Sequence, residues 1–175
     1  MGRTKINLHL EQSLQLQKLG EAISSHDELK QNRIALNGLI GSSLSLVIAA
    51  SFKKTKRPFL FILNDKEEAA YYLNDLEQLL KEDNVLFYPG SYRRPYQIEE
   101  TDNSNILLRA EVLNRINSRK TPALIVTYPD ALFEKVVTRK ELDKSTLKVA
   151  LNDKLSLDFV NELLFEYHFR RVDFV

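Results

Sequence analysis

The chain has 175 residues, enough for one well-cored domain and a small appendage. Its 25 Lys and Arg nearly balance 24 Asp and Glu, so a formal charge of +1 lacks the basic surplus of a dedicated nucleic-acid binder. With no cysteine and only His9, His26 and His168, the sequence offers neither a disulfide framework nor a zinc ligand cluster.

No apolar run reaches the roughly 18 residues of a membrane span, and the first residues do not read as a signal peptide. The expectation is a cytoplasmic protein with no membrane partner and no metal site. In chain order, residues 10–24 read as a helix with Leu10, Leu14, Leu19 and Ile23 on one face. In "RIALNGL", Ile34 and Leu36 alternate like a short strand, and the chain turns at Gly38 and Gly41. A second helix begins near Ser42, with Leu44, Val47, Ile48 and Phe52 as its inward stripe. "KKTKRP" closes it as a basic loop.

"PFLFIL" (58–63), "VLFY" (85–88) and "PALIVT" (122–127) are continuously apolar, the pattern of parallel strands buried on both faces. Between them lie two helical stretches. The first carries Ala69, Leu73, Leu76 and Leu80 on one face, and the second carries Ile106, Ala110 and Leu113. "YPDALFEKVV" reads as a short helix after the third strand. The fold class expected is α/β: an open, mostly parallel sheet with helices on both faces. The pattern changes near Thr138. "TLKVAL" (146–151) reads as a strand, Ser156 as the cap of a helix bearing Leu157, Val160, Leu164 and Tyr167, and "FRRVDFV" as a last strand. Residues 1–140 are therefore expected to form the α/β domain and 141–175 the start of a second, small α+β domain.

Three segments bear on chemistry. "NGLIGSSLSLVI" (37–48) follows the outline of a phosphate loop, with Gly38 and Gly41 at turn positions and Ser45 where a magnesium-binding hydroxyl belongs. Ser43 replaces the second glycine, however, and Leu44 replaces the lysine that bridges phosphates. Leucine supplies no charge, so the loop reads as disabled, with no cofactor bound. In residues 87–105, Phe87, Tyr88, Tyr92 and Tyr96 interleave with Arg93 and Arg94. Such a mixture stacks on single-stranded bases, or else forms a loop lying over a sheet edge. The carboxylates Glu99, Glu100 and Asp102 belong to no Ser/His/Asp or His–carboxylate constellation and read as a solvated loop and helix-start charges. In the tail, Arg170 and Arg171 fall on opposite faces of the last strand.

Three stretches, "LNGLIGSSLSLVIAA", "PALIVTYPDALFEKVV" and "LSLDFVNELLFEYHFRRVDFV", in this order and spacing, resemble the amino-terminal module of the bacterial transcription-repair coupling factors. That module is similar to the first domains of the excinuclease B component, with a degenerate helicase-type, phosphate-loop fold. The resemblance implies a module without catalysis that recruits the excinuclease A component through the second domain, truncated here. The family's aromatic followed by Arg-x-Asp-x-Val matches Phe169, Arg171, Asp173 and Val175, which makes Arg171 the leading partner-binding residue and Arg170 the second. It also implies that RNA polymerase, DNA, ATP and magnesium are engaged by parts of a longer protein, an ATP-dependent translocase, that lie outside these residues. Two rivals stand beside it. One is a fragment of the excinuclease B component, whose intact phosphate loop and long aromatic hairpin this sequence lacks. The other is an unrelated nucleotide-binding α/β protein.

Overall fold

The computed structural model describes residues 13–25, 33–80, 84–92, 102–118, 121–144, 146–147, 149–166 and 169. The chain divides into two compact units, Met1–Val136 and Val137–Val175.

The first unit begins with helix α1 (Leu14–Ser24), followed by α2 (Ser43–Thr55), β1 (Phe59–Ile62), α3 (Lys66–Leu80), β2 (Val85–Tyr88), α4 (Asn103–Ser118), β3 (Leu124–Thr127) and α5 (Pro129–Phe133). The strands form a parallel sheet in the order β1-β3-β2. The chain steps from β1 across to β2 and then back to β3. Right-handed crossovers in opposite directions put α3 and α4 on opposite faces. The ring contacts agree. Phe61 meets Tyr72 of α3 at 5.5 Å, whereas Tyr88, on the other face, lies under Arg109 of α4. Both faces of β3 are thus covered, and all four of its residues are buried. Fully buried Leu76, Leu124, Val112 and Val126 anchor this core, each worth about 1.5–3 kcal/mol of apolar burial. The α/β class and the open parallel sheet expected from the apolar runs are what the chain forms.

Local chemistry sets the helix ends. The Asp65 carboxylate accepts the Glu68 amide at 2.8 Å while the Glu68 carboxylate accepts the Asn64 amide at 2.9 Å, a reciprocal cap at the start of α3. The basic stretch at the end of α2 and just beyond it also has a structural role. Arg57 donates to the Ser24 carbonyl and Lys53 to the Leu79 carbonyl, at the C-terminal ends of α1 and α3, where cations are favoured.

Several apolar faces turn differently from the periodicity. In α1 the buried residues are Leu16 and Gly20, and Leu14 faces solvent. In α2 the buried stripe is Ser45, Ala49, Ser51 and Phe52, with Ile48 packed against the core. Leu44, assigned inward on sequence, is only partly buried and stands outside the core cluster, because Ser45 takes the inner position. In α4 the buried residues are Arg109 and Val112, while Ile106 is exposed. Ile34 and Leu36 are exposed and form no strand: the described sheet holds no partner for them.

The second unit holds α6 (Arg139–Lys144) and α7 (Leu157–Glu166). Thr138 and Glu141 cap α6 reciprocally, and the Ser156 hydroxyl accepts the Phe159 amide at 3.0 Å to start α7. Residues 146–151 do not form the expected strand among the described positions. Leu147, Val149 and Leu151 are exposed, and the Ala150 amide is tied into a turn by the Asp153 carboxylate. An alternating run becomes a strand only where a neighbour completes its ladder. The "FRRVDFV" strand, with Arg170 and Arg171, lies outside the described residues except for Phe169.

Candidate functional site: a closed phosphate-type loop and the carboxyl edge of the sheet

The loop before α2 turns on two left-handed glycines, Gly38 at φ +81° and Gly41 at φ +55°. A side chain at either would meet no atom within 4 Å, so the backbone conformation rather than crowding selects glycine. Between them stands Ile40, 85% exposed. The Ser43 hydroxyl accepts the Ile40 amide at 2.7 Å and donates to the Ile40 carbonyl at 2.8 Å. In a working phosphate loop such amides point at the phosphates. Here Ser43, where a glycine belongs, closes the loop on itself.

Ser45, at the position of a magnesium-binding hydroxyl, is fully buried and donates to the Asp75 carboxylate of α3 at 2.9 Å. Nearby, Ser42 pairs with the Tyr71 hydroxyl at 3.1 Å. Leu44 contributes no cation. The hydroxyls that would serve a nucleotide and its metal are thus committed to helix packing, and the residues present do not fit a magnesium–phosphate group.

The second cluster lies at the carboxyl ends of β2 and β3, where open α/β sheets place ligands. Arg109 is 7% exposed and reaches the ends of both strands. Its Nη1 donates to the Pro89 carbonyl at 2.7 Å and the Ala131 carbonyl at 3.1 Å, and pairs with Glu134 at 3.3 Å. The guanidinium sits 4.3 Å from the centre of the Tyr88 ring. Glu134 accepts the Ser91 amide and hydroxyl, the Tyr128 hydroxyl accepts the Gly90 amide at 2.8 Å, and Asn105 donates to the Gly90 carbonyl. Burial raises the pKa of both Tyr88 and Tyr128; Arg109 opposes the shift at Tyr88, and the bond from Gly90 opposes it at Tyr128. The network joins the Ser91 hydroxyl, the Glu134 carboxylate and the Arg109 guanidinium. It clamps the loop leaving β2 to the helix after β3.

Of the aromatic–arginine stretch, Tyr88 is buried and Phe87 and Tyr92 are partly buried; Arg93, Arg94 and Tyr96 lie outside the described residues, as do Glu99 and Glu100. Asp102 accepts the Ser104 amide at the start of α4, a capping role. Arg109, Glu134 and Tyr128 form the best-connected polar site, yet none stands out in sequence. The only signal is a charged residue within the helix-periodic stretch 103–118.

The first unit is thus a small parallel α/β unit whose loop before α2 closes on itself and carries Leu44 where a phosphate loop has lysine. The chain is 28% identical over 125 residues to the transcription-repair-coupling factor of Rickettsia bellii (strain RML369-C), covering 71% of this chain and 11% of that protein. It is 27% identical over 151 residues to the transcription-repair-coupling factor of Bacillus subtilis (strain 168), covering 86% of this chain and 12% of that protein. The resemblance drawn from the three sequence stretches therefore holds over most of the chain, and the chain spans about one-eighth of the length of these relatives. No protein-family model matches it, and no solved structure matches it significantly. Among the described residues no helix is long and apolar enough to cross a membrane.

Proposed function

We propose that this chain is the catalytically silent amino-terminal module of a transcription-repair coupling factor, and that its task is to recruit the excinuclease A component to a stalled RNA polymerase. The observation that carries the reading is the similarity to coupling factors over 71–86% of the chain. Two further features support it. Ser45 commits its hydroxyl to Asp75 and Leu44 replaces the lysine, which leaves the loop without nucleotide chemistry. The second unit exposes Leu157, Phe159 and Phe165 on α7, apolar surface suited to a protein partner. In this reading Arg171 is the main contact and Arg170 the second, while motor, DNA and polymerase contacts belong to other parts of a longer protein. Co-elution with the excinuclease A component on size-exclusion chromatography tests it. A stable complex is expected, and separate elution at micromolar concentrations refutes the recruiting role.

A further inference from the structure

The turn that leaves β2, Pro89 to Ser91, is pinned at every residue by groups other than the acid it holds. Arg109 Nη1 donates to the Pro89 carbonyl at 2.7 Å, and the Tyr128 hydroxyl accepts the Gly90 amide at 2.8 Å. Asn105 donates to the Gly90 carbonyl at 2.9 Å, and the Asp102 amide donates to the Ser91 carbonyl at 2.8 Å. With the turn so fixed, the Ser91 amide, the Ser91 hydroxyl and Arg109 Nη1 converge on one point, and the Glu134 carboxylate fills it. Its two oxygens accept the Ser91 amide at 2.9 and 3.0 Å, and one of them accepts the Ser91 hydroxyl at 2.7 Å. A Cβ on Gly90 would come within 2.9 Å of Glu134 Oε1 and 3.3 Å of the Tyr128 hydroxyl. Bare backbone at Gly90 is what lets an oxyanion approach.

Receptor and occupant are held differently. Arg109 Nη1 is closer to the Pro89 and Ala131 carbonyls, at 2.7 and 3.1 Å, than to Glu134 at 3.3 Å, and its guanidinium also lies over Tyr88. The cation therefore keeps its place when the acid leaves. Glu134 stands just past α5 on extended backbone, φ −68° and ψ 137°, and its side chain is 18% exposed, so water reaches it. Donors already ordered bind an anion without the cost of ordering them.

We propose that the Pro89–Ser91 turn and Arg109 form a preorganised carboxylate receptor, of which Glu134 is the exchangeable resident and which takes a carboxylate of another molecule in its place. One amide that meets both oxygens suits a planar carboxylate, and its position at the carboxyl ends of the strands is where open α/β sheets bind ligands. The receptor lies within the first unit and does not depend on the recruiting role proposed for the second.

Glu134→Ala empties the receptor and should give a folded chain by circular dichroism with a lowered urea midpoint. Sodium formate, compared with sodium chloride at equal ionic strength, should raise that midpoint steadily with its concentration, as a ligand of the folded state does. Adding Ser91→Ala should weaken the action of formate about tenfold, the loss of one hydrogen bond to a charged group. Adding Gly90→Ala instead should abolish it, because the new methyl takes the place of the anion. In the unmodified chain formate competes with a tethered carboxylate, so about 1 M is needed to exceed the effective concentration of the tether. There the Glu134 carboxyl carbon resonance should move toward that of a free glutamate while the Ser91 amide keeps its bound position. Formate no better than chloride on Glu134→Ala, inorganic phosphate acting more strongly than formate, a Glu134→Ala chain that stays unfolded in formate, or a Glu134 resonance that does not move in the unmodified chain would each overturn the proposal.

Discussion

Arg109→Ala tests the claim that one buried guanidinium holds together the carboxyl edge of the sheet. The substitution removes donors to the Pro89 and Ala131 carbonyls, the partner of Glu134, and the cation over Tyr88. The side chains of Arg109 and Glu134 are only 8% and 18% exposed, so water replaces little of what is lost. Breaking a buried pair by removing one member costs about 3–5 kcal/mol. Glu134 keeps its bonds from the Ser91 amide and hydroxyl, which favours the lower end, about 3 kcal/mol. For a unit of 136 residues, at about 3–4 °C per kcal/mol, the midpoint should fall by roughly 10 °C. Replacing the pair together, Arg109→Met with Glu134→Gln, should cost clearly less than the two single changes summed, because no charge is then left buried alone. Differential scanning calorimetry of the single and double variants measures all of this. A drop below about 2 °C for Arg109→Ala, or strict additivity in the double variant, would refute the reasoning.

Ser45→Ala leaves the Asp75 carboxylate without its donor across the α2–α3 contact and should cost about 1–2 kcal/mol, read as a lower urea midpoint with unchanged slope. Leu44→Lys returns the missing charge but should give no ATP affinity tighter than about 1 mM, because Ser43 still closes the loop and Ser45 still bonds Asp75. Leu44 is only partly buried, so this variant should lose less than the roughly 1.5–3 kcal/mol of a fully buried leucine; thermal shift with and without Mg-ATP checks both expectations. Stability should fall in alkali. Burial raises the pKa of Tyr88 and Tyr128 above the unfolded value near 10, so from that pH upward the folded chain holds more protons than the unfolded one, and the stability present below it is lost as pH climbs through the folded values. Urea midpoints that stay level between about pH 9 and 11 would contradict this, and Tyr128→Phe should flatten the decline.

The parts of the fold that were legible are those set by local pattern. "PALIVT" is apolar at nearly every position, and β3 is buried at every position. Ala69, Leu76 and Leu80 repeat at helical spacing, and all three are buried in α3. The errors in the faces of α2 and α4 share one cause: polar residues that go inside because a distant group satisfies them. Ser45 displaced Leu44 from the inner face by bonding Asp75, 30 residues away. Arg109 displaced Ile106 by bonding carbonyls 20 and 22 residues away. No short window of the sequence contains both partners of such a pair. The strand expected at 146–151 failed for a related reason, since alternation records a half-buried environment and not the neighbour that must provide it. The phosphate-loop outline and its missing lysine were legible residue by residue; the closure by Ser43 and the Ser45–Asp75 bond needed coordinates.

The central claim, recruitment of the excinuclease A component through the second unit, is tested most directly by calorimetric titration of that protein into the chain and into Arg171→Ala. Binding by the chain, weakened in Arg171→Ala by about 2 kcal/mol or roughly thirtyfold with an unchanged circular dichroism spectrum, is the result the account predicts. Equal affinity of the two would remove Arg171 from the contact, and no heat of binding from either would contradict the recruiting role itself.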